Sequence, residues 1–383
     1  MPVTRCDIFC RVIDNFGDIG VCWRLARQLA ATPGLAVRLW CDDLASFAPL
    51  APALDPARAT QTLAGVTICR WDGAADSAAP ADLVIEAFAC DPPAPYVEAM
   101  AARAVKPVWI NLEYLSAEDW VEGSHGLPSP HPRLPLVKHF FFPGFTARSG
   151  GLLRETGLVE AHAAFQRDAA AQAAQWSALG LAPPPGALKI SLFAYENPAV
   201  EGLLDAWADS PRAVFCAVPA GRIRAGVDAW LARRGEVADV ARVGALTLAR
   251  LPFLPQADYD RLLAACDLNF VRGEDSFVRA QWVARPFVWH IYPQAEAAHL
   301  PKLAAFLARY GTGLDTSARA ALEDFWHAWE AGRDAGARWP AFAAALPALR
   351  AHARAWTADQ AARPDLAAKL LIFCQNLLEC RAL

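Results

Sequence analysis

Short apolar runs alternate with stretches of helical spacing along most of the chain. In the first half, runs at 7–13, 36–41, 66–71, 83–88 and 107–112 are apolar almost throughout, with amphipathic patterns at 21–31 and 95–104 between some of them. Strands that are apolar on both faces and separated by helices predict a parallel sheet covered on both sides. Residues 113–150 then form a long Pro- and His-containing segment with little periodicity, and long loops inside compact domains are usually functional. An alanine-rich helical pattern at 152–181 ends at Gly180 and the break Pro183-Pro184-Pro185-Gly186. A second alternation follows, with strands at 188–194, 213–218, 246–251, 268–271 and 287–291. The tail, 315–383, reads as helical and carries Trp326, Trp329, Trp339 and Trp356.

The pattern predicts an α/β protein of two doubly wound, Rossmann-like domains facing a central cleft, with a helical C-terminal tail. The expected boundaries are 1–150 for the first domain, 151–186 for a helical linker, and 187–383 for the second domain with the tail.

Composition narrows the function without naming it. The 383 residues are 55% hydrophobic, much of it alanine, and 20% charged, with a net charge of −4. An isoelectric point of about 6.1 argues against a nucleic-acid binder, which normally presents a basic face. No stretch is long and apolar enough to cross a membrane, and Asp7 and Arg11 interrupt any signal-peptide core. The ten cysteines include no C-x-x-C pair, so they read as buried free thiols of a reducing cytoplasm. The eight histidines have no ligand spacing, and no metal site is expected.

Candidate chemistry gathers at the carboxyl ends of expected strands, where open α/β sheets bind ligands. The first segment is Asp14-Asn15-Phe16-Gly17-Asp18-Ile19-Gly20, between the first strand and its helix. Gly17 and Gly20 permit positive φ or close backbone approach. Two carboxylates do not suit a phosphate cradle, so Asp14 and Asp18 either cap the helix or meet a cationic, proton-donating partner. The second segment, Phe193 to Pro198, offers Tyr195 to a base or sugar ring, or simply to packing. The third, Leu251 to Tyr259, holds Gln256 at a helix start with Phe253 or Tyr259 as a stacking face, which suits a nucleobase edge or a plain turn. The fourth is Arg272-Gly273-Glu274-Asp275-Ser276, where a guanidinium fork, a glycine and a helix N-terminus form a diphosphate site. Glu274 and Asp275 then hold sugar hydroxyls or a cationic acceptor, or cap the helix. Asp42-Asp43 reads as an N-cap, because no G-x-G-x-x-G fingerprint accompanies it.

Four motifs together resemble the EarP family of bacterial protein-arginine rhamnosyltransferases. They are the Asp14–Gly20 segment, Asn111-Leu112-Glu113-Tyr114-Leu115-Ser116-Ala117-Glu118-Asp119-Trp120, Phe141-Phe142-Pro143-Gly144-Phe145, and Arg272 to Ser276. The likeness extends through His290-Ile291-Tyr292-Pro293-Gln294. It implies a GT-B-like glycosyltransferase fold with the donor held mainly by the C-terminal domain. The reaction it implies is inverting, metal-independent transfer of rhamnose from dTDP-β-L-rhamnose to an arginine of translation elongation factor P, supporting translation through proline runs.

Residue by residue, Asp14 and Asp18 match the family's essential N-terminal aspartates, with Asp18 as general base, and Glu274 matches its essential glutamate. Arg272, Gly273, Asp275 and Ser276 fall at donor-binding positions. Tyr195, Phe253 and Gln256 fall where the family holds thymidine, and Asn15, Phe16 and Gly17 where it meets the donor. The implied partners are elongation factor P and the nucleotide sugar, with no nucleic acid, membrane or resident cofactor. Taken without the resemblance, the residues leave open another GT-B transferase or a non-catalytic binder of nucleotide sugars. An NAD-dependent oxidoreductase lacks its glycine fingerprint.

Overall fold

Eight strands make the first sheet of the computed structural model, which describes residues 3–13 and 16–382. They are β1 (Arg5–Cys10), β2 (Ala36–Cys41), β3 (Thr60–Leu63), β4 (Val66–Arg70), β5 (Leu83–Ala87), β6 (Val108–Leu112), β7 (Pro128–Pro130) and β8 (Val137–Phe141). Their order is β3-β4-β2-β1-β5-β6-β8-β7, parallel except for the edge pairs β3/β4 and β7/β8. The second sheet contains β9 (Leu188–Leu192), β10 (Val214–Val218), β11 (Val240–Val243), β12 (Leu246–Arg250), β13 (Leu268–Arg272) and β14 (Phe287–His290). Its order is β11-β12-β10-β9-β13-β14, with only β11/β12 antiparallel. Both are the doubly wound, parallel-dominated sheets expected of a GT-B-like protein.

The chain divides into two compact units, Met1–Glu155 with Arg363–Leu383, and Thr156–Ala362. This differs from the expected boundaries at both ends of the second domain. The last helix, Leu366–Ala382, was expected in the second domain's tail but packs in the first unit. Polar contacts hold it there. Gln28 Nε2 donates to Asp365 Oδ1 at 2.7 Å, and Lys369 Nζ donates to the Ala147 and Ser149 carbonyls at 2.8 and 2.7 Å. Phe373 packs edge-on against Phe141, with ring centroids 5.8 Å apart.

Three further expectations are corrected. The segment 113–150 contains the β7/β8 pair and a short helix, Trp120–Ser124, rather than only loop. The pattern at 152–181 is two helices, Leu158–Arg167 and Ala169–Ala178, broken where the Asp168 carboxylate caps the second through Ala171 N–H. The first helix begins at Gly17, so Gly17 and Gly20 are helical and need no positive φ.

Each unit buries its own core. Phe9, Trp40, Val84, Tyr96, Met100 and Trp109 cluster on one face of the first sheet. There the buried Asp7 carboxylate is neutralised by Arg38, whose Nε lies 2.6 Å away, and also accepts from the Tyr96 hydroxyl. In the second unit the helix Thr316–Glu330 lays Trp326 and Trp329 against Phe287 and Phe270, at centroid distances of 5.6 and 4.9 Å. The tail tryptophans are thus core residues that cover β13 and β14.

Candidate active site

In the first unit the described chemistry centres on Asp18, in the first turn of the helix Gly17–Ala30. Phe16, the residue at the helix's N-cap, makes no side-chain cap hydrogen bond. The Asp18 carboxylate turns back toward the end of β1. Oδ2 accepts from Ile13 N–H at 2.9 Å and Oδ1 accepts from the Tyr114 hydroxyl at 3.1 Å. Asp18 is only 2% exposed. The carboxylate is thus desolvated and held by donors from two segments. Phe16, half-buried, precedes the helix and accepts from Gly20 N–H at 3.0 Å. Asp14 and Asn15 lie outside the described residues. Asp43 caps a short helix through Ser46 N–H, as expected of it.

In the second unit, Arg272 ends β13 and is 7% exposed. Its guanidinium lies 4.7 Å from the ring centres of both Phe193 and Tyr195, and these aromatic faces hold it in place. Its Nη1 is buried with no hydrogen-bond partner among the described residues. A buried guanidinium N–H of this kind suits an oxyanion, since leaving such a donor unmade is costly. Beside it, His290 ends β14, with its ring 5.4 Å from Tyr195 and Nδ1 buried without a partner. Burial, then the charges of Arg272 and His299, lower the His290 pKa to about 4, so the ring is neutral at working pH.

The fourth segment is built as a turn around its own backbone. Gly273 adopts φ +58°, its N–H donates to the His290 carbonyl at 3.3 Å, and its carbonyl accepts from Trp289 Nε1 at 2.7 Å. The Ser276 hydroxyl donates to the Arg272 carbonyl at 2.5 Å and accepts from Arg272 N–H at 3.0 Å, so it fixes the turn. Glu274 precedes the helix Asp275–Trp282 without capping it through its side chain. Gln256 starts the helix Gln256–Ala265, and its Nε2 donates to Asp275 Oδ2 at 3.2 Å. Phe253 is half-buried in the proline-bounded connection before Gln256.

The structure therefore brings Tyr195, Gln256, Arg272, Gly273, Asp275 and Ser276 into one neighbourhood of the second unit. Phe193 and His290 belong to it as well, though sequence reasoning gave them no role. The available signal was position, since each lies at the carboxyl end of a strand beside a segment already singled out. A cavity of about 560 Å³ in the first unit, lined by residues including Trp109, His131 and Lys138, touches none of the expected site residues. Among the described residues no cluster of three His, Cys, Asp or Glu could hold a metal, and no helix is long and apolar enough to cross a membrane.

Comparison with known proteins shows the family. The family described as elongation factor P (EF-P) rhamnosyltransferase EarP matches residues 6–375. A protein-arginine rhamnosyltransferase of Pseudomonas putida is 56% identical over 97% of this chain and 99% of its own length. One from Pseudomonas aeruginosa is 50% identical with the same coverage. A solved structure concerned with EarP-mediated arginine glycosylation of translation elongation factor EF-P matches with a TM-score of 0.68 and 42% identity, over 97% of this chain and 99% of that one. Spinosyn rhamnosyltransferase SpnG shares the fold alone, at 14% identity and a TM-score of 0.51 over 96% of this chain and 98% of its own.

Proposed function

The chain belongs to the EarP family of protein-arginine rhamnosyltransferases, and from that premise we propose that it transfers rhamnose from dTDP-β-L-rhamnose to an arginine of elongation factor P with inversion. The observation that carries this reading is Asp18, a buried carboxylate at the end of the first strand that accepts from Ile13 N–H and the Tyr114 hydroxyl. An arginine acceptor stays charged at working pH, and delocalisation makes its nitrogens poor nucleophiles. A fixed carboxylate orients one nitrogen and removes its proton as the new bond forms.

In this reaction an acceptor nitrogen attacks the anomeric carbon, the bond from that carbon to the diphosphate oxygen breaks, and Asp18 takes the proton from nitrogen. Asp14 assists Asp18, and Glu274 positions the sugar or supports charge at the anomeric carbon. Asn15, Phe16 and Gly17 meet the donor from the first unit. Tyr195, Phe253 and Gln256 take the thymidine, with Gly273, Asp275 and Ser276 shaping the loop beside it. Arg272 is supported in the diphosphate role by its unpartnered Nη1. The charge on the leaving group falls to Arg272 in this reading, so activity is expected to survive chelation of divalent ions. None of the ten cysteines, all among the described residues, is in a disulfide, which supports a reducing compartment and hence a cytoplasmic reaction, where the modified factor would assist translation through proline runs.

The test is direct. The protein is incubated with dTDP-β-L-rhamnose and elongation factor P, and the factor is read by mass spectrometry. A rhamnosyl mass on one arginine is expected. An unmodified factor, or equal transfer from UDP- or ADP-linked sugars, would overturn the assignment.

A further inference from the structure

The turn after β5 is strained, and the strain has a use. Phe88, the residue that follows the strand, has φ +58°, and Ala89 and Asp91 follow at +54° and +47°. Side chains rarely adopt this left-handed region, which glycine enters freely. The second unit contains the same turn with the expected residue. Gly273 follows β13, the strand that occupies the place of β5, also at φ +58°. The hydrogen bonding matches too. Phe88 N–H donates to the carbonyl of Leu112 at the end of β6, and Gly273 N–H donates to that of His290 at the end of β14.

A phenylalanine therefore stands where the backbone favours glycine, and its ring makes a contact that a glycine could not. It stacks on Tyr114, with centroids 4.2 Å apart and planes within 13°. Tyr114 is itself 37% exposed. Its hydroxyl nevertheless reaches Asp18 Oδ1 at 3.1 Å. The strained turn is tied down in turn, since Ala89 N–H donates to Asn111 Oδ1 and Asn111 Nδ2 donates to Glu113 Oε1, at 3.1 and 2.6 Å.

We infer that Tyr114, braced by the stacked Phe88 ring, is a positioning residue that fixes the Asp18 carboxylate for the transfer step. Ile13 N–H holds one oxygen, and the tyrosine hydroxyl selects the rotation of the other. The strain at Phe88 is then stored at a functional site, as left-handed non-glycine residues often are. This inference rests on the reading of Asp18 as the general base.

The test uses the full-length protein with elongation factor P and dTDP-β-L-rhamnose. Tyr114→Phe retains the ring and its stack while removing the hydroxyl, and the residue's exposure makes loss of folding no concern. It should lower kcat about tenfold, in line with loss of a hydrogen bond to a charged group, while calorimetric affinity for dTDP stays unchanged. Phe88→Gly, which relieves the backbone and removes the brace, should lower kcat in the same direction. Placed on Asp18→Asn, Tyr114→Phe should cost less than about a further twofold, because residues acting through one another are not additive.

Wild-type kcat in Tyr114→Phe, or its full loss repeated on the Asp18→Asn background, would overturn the inference. Full activity in Asp18→Asn alone would instead overturn the base assignment on which it rests, so the two failures are distinguishable.

Discussion

The two units are built on one plan. Strands β3-β4-β2-β1-β5-β6 and β11-β12-β10-β9-β13-β14 lie in the same order, each with an antiparallel hairpin at the same edge. They differ at the carboxyl ends of their central strands. The first unit places a buried carboxylate, Asp18, after its first strand, whereas the second places an aromatic, Tyr195. After the strand next in the sheet, the first unit has the stacked Phe88, whereas the second has Gly273 preceded by the cation Arg272. One scaffold thus carries a buried carboxylate at one set of strand ends and a buried guanidinium at the other. The fold supplies the position, and the residues at strand ends supply the chemistry.

If the ends divide the work in this way, each can be broken separately. Asp18→Asn should lower turnover about 10²–10⁴-fold, the usual range for losing a general base, and leave dTDP affinity unchanged by calorimetry. A parallel loss of nucleotide binding would erase the division. Arg272→Ala should act in the opposite sense, weakening dTDP binding about 10- to 100-fold, since hydrogen bonds to charged partners are the stronger class. Normal affinity in that variant would move the diphosphate elsewhere.

The turn pair gives a smaller and more structural contrast. Gly273→Ala places a Cβ at φ +58° with no stacked ring to justify it, and should cost about 1–2 kcal/mol of unfolding free energy. Denaturant titration reads this directly. An unchanged midpoint would mean that the turn relaxes, and the strain argument at Phe88 would weaken with it.

Much of this contrast was legible in the chain itself. Strands β2, β4, β5, β6 and all of the second sheet except β11 fall within about two residues of the apolar runs, because buried parallel strands leave an unbroken signature. The edge strands β3, β7 and β11 went unseen because they are short and partly exposed, Pro128–Pro130 with prolines at both ends. The last helix was placed in the wrong unit because its attachments, Gln28 to Asp365 and Lys369 to two loop carbonyls, join residues far apart in sequence. Asp18 and Arg272 stood out as charges out of keeping with apolar strand ends. Their supports, Tyr114 for one and Phe193 with His290 for the other, could not be assigned without the pairing of strand ends. The left-handed Phe88 has no sequence signature, since only glycine advertises such a conformation.

The ends of the corresponding strands β6 and β14 differ in one more way, which pH can read. Leu112 ends β6 beside Glu113, an acid bonded to Asn111, whereas a histidine, His290, ends β14 near His299, whose Nε2 lies 3.2 Å from Glu330 Oε1. Burial raises the Glu330 pKa to about 7, while burial and neighbouring cations lower that of His290 to about 4. His290 binds fewer protons folded than unfolded, so its contribution to stability is complete above about 6.5 and is lost as pH falls toward 4. Glu330 works in reverse. It binds more protons when folded between about 4.5 and 7, so its contribution falls as pH rises through that window. The two slopes oppose each other where the windows overlap. Glu330→Gln removes one of them, and the variant should lose stability on acidification from about pH 6.5 to 4.5 more steeply than the wild type, by at most about 1.4 kcal/mol per pH unit. Groups elsewhere, including the similarly depressed His125, are common to both proteins and cancel in the difference. Superimposable profiles of thermal midpoint against pH would show that Glu330 is not protonated in the folded second unit, and this distinction between the two strand ends would disappear.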